Sequence, residues 1–215
     1  MDWIQQLQSA NWHRATGCAL AAYLLGCFAT GYYLVRARTG RDIRQIESGT
    51  VGARNAGRVL GPIGFAATLL GDFGKGALAV WLAREWTEDN RVALLALLAV
   101  VLGHIWPVQL RFHGGKGVAT FLGALLVFDY RIALVFPVLF LIGFALMRKS
   151  LLPAMFAFAG LPMAAWFLGC GNFTVALLAM LTAVILFAHR RNLTEEFTAL
   201  AARRAATPKP EPPKL

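Results

Sequence analysis

Gly114-Gly115-Lys116-Gly117-Val118-Ala119-Thr120 is the stretch best suited to chemistry, a flexible cationic turn lodged between segments apolar enough to sit in lipid. Glycines at 114, 115 and 117 let successive backbone N–H groups converge on one anion, while Lys116 adds a point charge and Thr120 a hydroxyl donor. Ser48-Gly49-Thr50-Val51-Gly52-Ala53-Arg54-Asn55-Ala56-Gly57-Arg58 repeats that recipe between two other apolar runs. Arginine holds phosphate through two parallel charge-assisted bonds, which suits Arg54 and Arg58; Ser48 and Asn55 can satisfy the remaining oxygens, and Gly49 and Gly52 supply the turn. Glu47 is the neighbouring carboxylate. Contact with lipid phosphates would account for the cations but not for glycines at 49, 52, 57 and 61. Two such turns predict one shared anionic site at a membrane surface.

Other polar groups border the apolar runs. His104, in Gly103-His104-Ile105-Trp106-Pro107, stands just before the second turn, where it can either serve the site or bond a backbone carbonyl. His189 and Asn192 are three residues apart and share a face if their helix continues. Ser150, after Arg148 and Lys149, is a weaker candidate. Asp72 and Lys75 lie deep in an apolar run on nearly the same helix face and are expected to form an internal pair, either supporting the loops or lining a cavity. Several chemistries lack their residues: there is no Gly-x-Ser-x-Gly elbow, no His-Glu-x-x-His pair and no Walker loop. Nor is there a His-x4-Asp acyltransferase motif, because His104 is followed five residues on by Gln109 and His113 by Val118. Cys18, Cys27 and Cys170 lack metal-ligand spacing and read as packing residues. No metal or other cofactor is expected.

These groups must be positioned by a membrane fold. At 215 residues, 58% hydrophobic and 15% charged, with mean hydropathy +0.58, the chain is too apolar for an ordinary soluble domain. Apolar runs at about 15–35, 60–83, 92–110, 118–129, 131–147, 151–168 and 173–189 predict an all-α, polytopic helical membrane protein with about seven transmembrane helices and glycine-rich cytoplasmic loops. The fourth run is short for a full span, so five or six crossings stay open. A secretory signal peptide is not expected, since the first run is long and leads directly into further spans.

The formal charge of +10 marks one membrane side rather than a nucleic-acid site. With seven spans, sixteen cations from Arg36 to Lys214 fall on one side, against Arg14, Arg84, Arg91 and Arg131 on the other. The positive-inside rule then puts the amino terminus outside and both turns and the carboxyl terminus in the cytoplasm. The expected organisation is an outer interfacial segment at 1–14 with Trp3, Ile4, Leu7 and Trp12, one helical membrane domain at 15–197, and a surface helix end with a solvated Pro-rich tail at 198–215.

Taken together, Ser48 to Arg58, Gly103-His104-x-x-Pro107 with Gly114 to Thr120, and His189-Arg190-Arg191-Asn192-Leu193 resemble the three motifs of the bacterial acyl-phosphate:glycerol-3-phosphate acyltransferases of the PlsY type; Asp72-x-x-Lys75-Gly76 resembles a further family segment. The likeness covers residues 15 to about 197. It implies transfer of a fatty acyl group from acyl-phosphate to the 1-hydroxyl of glycerol 3-phosphate in the bacterial inner membrane, giving lysophosphatidic acid and phosphate for phospholipid synthesis, without a covalent acyl-enzyme. It also implies that Ser48, Arg58 and Lys116 bind phosphate and orient the reactants while His189 and Asn192 position the acceptor or stabilise charge. Gly49, Gly52, Arg54, Asn55, His104, Gly114, Gly115, Gly117, Thr120 and Ser150 are the expected binding residues around them, with Asp72 and Lys75 as support. Four positions depart from the pattern: Thr50 replaces the usual asparagine, Arg54 threonine, Glu47 glycine, and Glu195 a basic residue. The departures leave open a different phosphorylated alcohol as acceptor, a transporter or binding protein for a phosphorylated metabolite or lipid, and an inactive scaffold.

Overall fold

A computed structural model describes residues 12–206, and among them every regular element is helical. Each apolar run becomes helix: α1 (Trp12–Cys27) and α2 (Thr30–Thr39), then α3 (Ala53–Trp86), α4 (Asn90–Ile105), α5 (Val118–Phe128), α6 (Tyr130–Met147), α7 (Leu151–Phe167) and α8 (Asn172–Ala188). A polar helix, α9 (Arg190–Ala206), follows, and two 3-10 turns, Ile43–Gln45 and Val108–Leu110, sit in the loops. Trp3, Ile4 and Leu7 lie outside the described residues, as does the segment Thr207 to Leu215.

The seven runs are not seven equivalent spans. Trp12–Thr39, Ala53–Trp86, Asn90–Leu110 and Tyr130–Met147 are long and apolar enough to cross a membrane, and a fifth crossing is reached by joining α8 to Arg190–Ala202 across a 64° bend. At 1.5 Å per residue α5 covers only about 16 Å and α7 about 25 Å.

Breaks in the long helices are compensated by named donors. Between α1 and α2 the freed carbonyls of Cys27 and Phe28 accept from Gln109 Nε2 and from Lys75 Nζ, the latter at 2.6 Å, as backbone in a lipid-embedded bundle requires. In α3, Pro62 lacks an N–H and disfavours helix at its predecessor, and Gly61 takes φ 71°, ψ −165°, so the first two turns fold away from the long apolar part. The short α5 ends where Arg84 donates to the carbonyls of Val127 (2.6 Å) and Phe128 (2.9 Å).

The core lies between α4, α5, α7 and α8, around Leu97, Val101, Phe121, Leu125, Phe158, Leu161, Leu181 and Ile185. Helices α3 and α5 touch backbone to backbone. A Cβ at Gly76 would sit 2.0 Å from the Thr120 carbonyl oxygen, and one at Gly123 2.0 Å from that of Phe73, the small-residue contact that lets membrane helices approach. The outer face of α6, with Leu141, Ile142 and Leu146 exposed, is left for lipid.

Candidate active site

Three helix N-termini converge on one cavity of about 300 Å³: Gly52-Ala53-Arg54 of α3, Gly117-Val118-Ala119 of α5 and Ser150-Leu151 of α7 all line it. None of the three carries a side-chain cap or an acid in its first turn. Their first N–H groups have no acceptor within the helix, and their dipoles present positive ends to the cavity. At the opposite end of the bundle α4 and α6 are capped, Asp89 accepting from Arg91 N and Asp129 from Arg131 N, while α8 starts after Gly171 without a side-chain cap and away from the cationic turns. The cavity is therefore built to receive negative charge.

The first turn supplies Ser48, Thr50, Arg54 and Arg58 to the cavity. Ser48 Oγ and Thr50 Oγ1 are 3.1 Å apart. Beyond Gly52 the chain is already helical, so Arg54 and Arg58 stand one turn apart on α3 rather than in a loop. Asn55 points the other way: its Nδ2 donates to the carbonyls of Ile43, Ile46 and Thr50 at 3.1, 3.0 and 2.9 Å. It braces the turn and does not line the cavity, because its donors are consumed by backbone. Gly49, at φ 67°, likewise shapes the turn from outside the lining.

The second turn is organised differently from the expected nest. Gly114 N and Gly115 N donate back to the carbonyls of Ile105 (3.1 Å) and His104 (3.0 Å), so those two amides are not available to an anion. Their lack of a side chain serves close approach: a Cβ on Gly115 would fall 2.1 Å from His104 Nε2. The donors that face the cavity come further on, where Gly117, two residues after Gly115 and at φ 83°, opens α5. Thr120 is fully buried with its backbone against Gly76 of α3, outside the cavity. Lys116 lines the cavity and donates to Asn192 Oδ1. Burial draws its ammonium below the usual lysine range; Glu195 opposes that shift, and Arg54 and Arg191 add to it.

Asp72 and His104 form the floor. Lys75 Nζ is 2.9 Å and His104 Nδ1 3.6 Å from Asp72 Oδ1, all deeply buried. The expected pair is thus a triad, and Lys75 lies behind the lining, held to Phe28 O. From the carboxyl end, the bend between α8 and α9 brings His189 and Asn192 into the wall. His189 Nδ1 donates to Ile185 O at 2.8 Å, which in the neutral ring leaves Nε2 as the acceptor. Arg54 Nη2 donates to Ser150 Oγ at 2.9 Å, and Lys149 pairs with Glu196. An apolar wall of Phe65, Leu69, Leu151, Ala154 and Met155 completes the cavity.

Residues 16–199 match the family model described as glycerol-3-phosphate acyltransferase. The chain belongs to that family. Among glycerol-3-phosphate acyltransferases it is 44% identical to glycerol-3-phosphate acyltransferase 1 of Desulfitobacterium hafniense over 185 residues, covering 86% of this chain and 92% of the relative. It is 40% identical to the Bacillus cereus protein of the same name over 171 residues, with 80% and 92% covered. A crystal structure of PlsY (YgiH), an integral membrane glycerol 3-phosphate acyltransferase, in its glycerol 3-phosphate form superposes with TM-score 0.79 at 30% identity, covering 86% of this chain and 92% of that one. The lysophosphatidic acid form gives TM-score 0.76 at 29% identity. This acyltransferase-family chain is an integral membrane protein, and its uncapped helix starts are the site feature that motif reading passed over.

Proposed function

We infer that this chain joins a fatty acyl group from acyl-phosphate to the 1-hydroxyl of glycerol 3-phosphate, releasing lysophosphatidic acid and inorganic phosphate. The observation that carries the reading is the meeting of Arg54, Arg58, Lys116 and three uncapped helix starts on a cavity with one apolar wall. Phosphate and acyl chain are the two chemistries such a cavity suits.

Ser48, Arg58 and Lys116 hold phosphate oxygens, and Asn192 fixes the Lys116 ammonium. His189 Nε2 accepts from an acceptor hydroxyl. The 1-hydroxyl oxygen attacks the acyl carbon, forming the ester C–O bond. The acyl–O bond to phosphate breaks, the electron pair leaves on phosphate, and the hydroxyl proton passes to a substrate phosphate oxygen. No covalent acyl-enzyme is needed, since acyl-phosphate is already activated and orientation with cationic stabilisation lowers the barrier. Asp72, Lys75 and His104 keep the floor rigid. The cationic end faces the bacterial cytoplasm, where glycerol 3-phosphate is soluble.

The purified protein given a synthetic acyl-phosphate and glycerol 3-phosphate forms lysophosphatidic acid and phosphate in equal amounts. Lys116→Ala lowers turnover by at least about 10²-fold, the usual scale for a lost charge-stabilising group, while the protein stays monodisperse. Flux of phosphate across vesicles without product would overturn the reading in favour of transport. Asp72 and Lys75, the charged pair within the apolar run that would favour transport, are committed to each other, and Lys75 also to Phe28 O.

A further inference from the structure

Arg54 occupies a costly position. It lies in the first turn of α3, whose N-terminus carries no acid and no side-chain cap, so its charge opposes the helix dipole. Arg58 stands four residues on along the same helix, where like charges repel. The two guanidiniums are not equally available. Arg58 Nη1 is 3.6 Å from Glu47 Oε2, an ion pair with both side chains more than half exposed. Arg54 bonds a neutral partner, Ser150 Oγ at 2.9 Å across the cavity, and among the described residues no carboxylate lies within ion-pair reach of it. Glu47 is placed by its loop: it takes φ 50°, a left-handed conformation uncommon for a side-chain-bearing residue. The turn is locked around it by Gly49 N donating to Ile46 O at 3.0 Å and by the Asn55 brace on Ile46 and Thr50.

We propose that Arg54 is the affinity-determining phosphate grip of this site, resting on Ser150 across the cavity mouth and transferring to the phosphate of a bound phosphate monoester, while Glu47 attenuates Arg58. This rests on the reading of the cavity as a phosphate site and deepens it. A guanidinium held by a hydroxyl exchanges that partner for a dianion readily, because a charge-assisted, bidentate contact replaces a single bond to a neutral oxygen. A guanidinium already facing a carboxylate gains less. The loop acid and the helix arginine thus act together, one reducing the charge of Arg58 and the other restoring it four residues away.

The test uses the full-length protein in lipid nanodiscs, with inorganic phosphate as probe, read both as inhibition of acyl transfer and as phosphate-induced thermal stabilisation. Arg54→Thr raises the Ki for phosphate and the KM for glycerol 3-phosphate about tenfold; Arg54→Lys, which keeps the charge without the fork, gives an intermediate rise. Glu47→Gln lowers the phosphate Ki about threefold. An Arg54→Thr protein with unchanged Ki and thermal shift overturns the grip, and a Glu47→Gln protein with unchanged Ki overturns the attenuation. Arg54-dependent stabilisation by phosphate in a protein that forms no lysophosphatidic acid upholds this inference while refuting the acyl transfer. Lysophosphatidic acid formation with a phosphate Ki indifferent to Arg54 does the reverse.

Discussion

At the scale of single residues, the charged groups divide into those that are neutralised and those that are left to act. Asp72 and Lys75 were legible as a pair from their spacing of three on one helix. His104 as third member was not, because its contact is made across two helices. Asp72→Asn should therefore cost about 3–5 kcal/mol, the scale for leaving a buried cation unpaired, seen as a lowered unfolding midpoint in detergent. The double variant Asp72→Asn/Lys75→Met should recover part of that loss, as a cycle on a shared pair requires. Lys116 is the opposite case, held by the neutral Asn192 and drawn below the usual lysine range by burial, with Glu195 opposing and two arginines adding. Because phosphate binding needs the protonated form, kcat/KM for glycerol 3-phosphate should fall on the alkaline side before the ordinary lysine value of about 10.4 is reached. Lys116→Arg should keep part of the activity and carry that limb to higher pH. An alkaline limb unmoved by Lys116→Arg would assign it to another group.

At the scale of elements, the apolar runs gave the helices but not their joints. The fourth run was short for a full span, and α5 ends after eleven residues. The kink in α3 was written in Gly61-Pro62 and changes the site: it turns Arg54, Asn55 and Arg58 from loop residues into a short helix whose start faces the cavity. The glycines of the second turn do different work from the expected anion nest, since Gly114 and Gly115 fold the chain back on α4 and Gly117 opens the helix whose start lines the cavity. Sequence spacing cannot separate a glycine that frees a backbone donor from one that makes room for a neighbour. Helix-to-helix approach depends on the same absence of a side chain at Gly76 and Gly123. Gly123→Ala should push α5 from α3 and destabilise the protein by about 1–3 kcal/mol, the range for overpacking, lowering activity through loss of folded protein although position 123 is outside the cavity. Normal thermal stability in that variant would mean the two helices have slack that the 2.0 Å approach denies.

At the scale of the whole molecule, alternation of the helices gathers the site at one end of the bundle. Helices α3, α5 and α7 begin there and α4 and α8 end there, so residues from 48 to 192 meet although no local pattern joins them. That meeting was anticipated from the similar chemistry of the two turns and from the family resemblance; its geometry depends on tertiary packing. The same alternation makes sidedness a single question, since every cavity residue shares one membrane face. The positive-inside rule predicts that this face is cytoplasmic, and the orientation can be tested directly. His113 is exposed at the cavity end and Glu88 at the far end, and Cys18 and Cys27 are buried, so Cys170 is the native thiol to remove. In a Cys170→Ala background expressed in bacteria, a membrane-impermeant maleimide should label Glu88→Cys in intact spheroplasts and label His113→Cys only after permeabilisation. The reverse pattern would place Lys116, Arg54 and Arg58 on the outer face, away from any cytoplasmic pool of phosphorylated acceptor, and the acyl-transfer reading would fall with the topology.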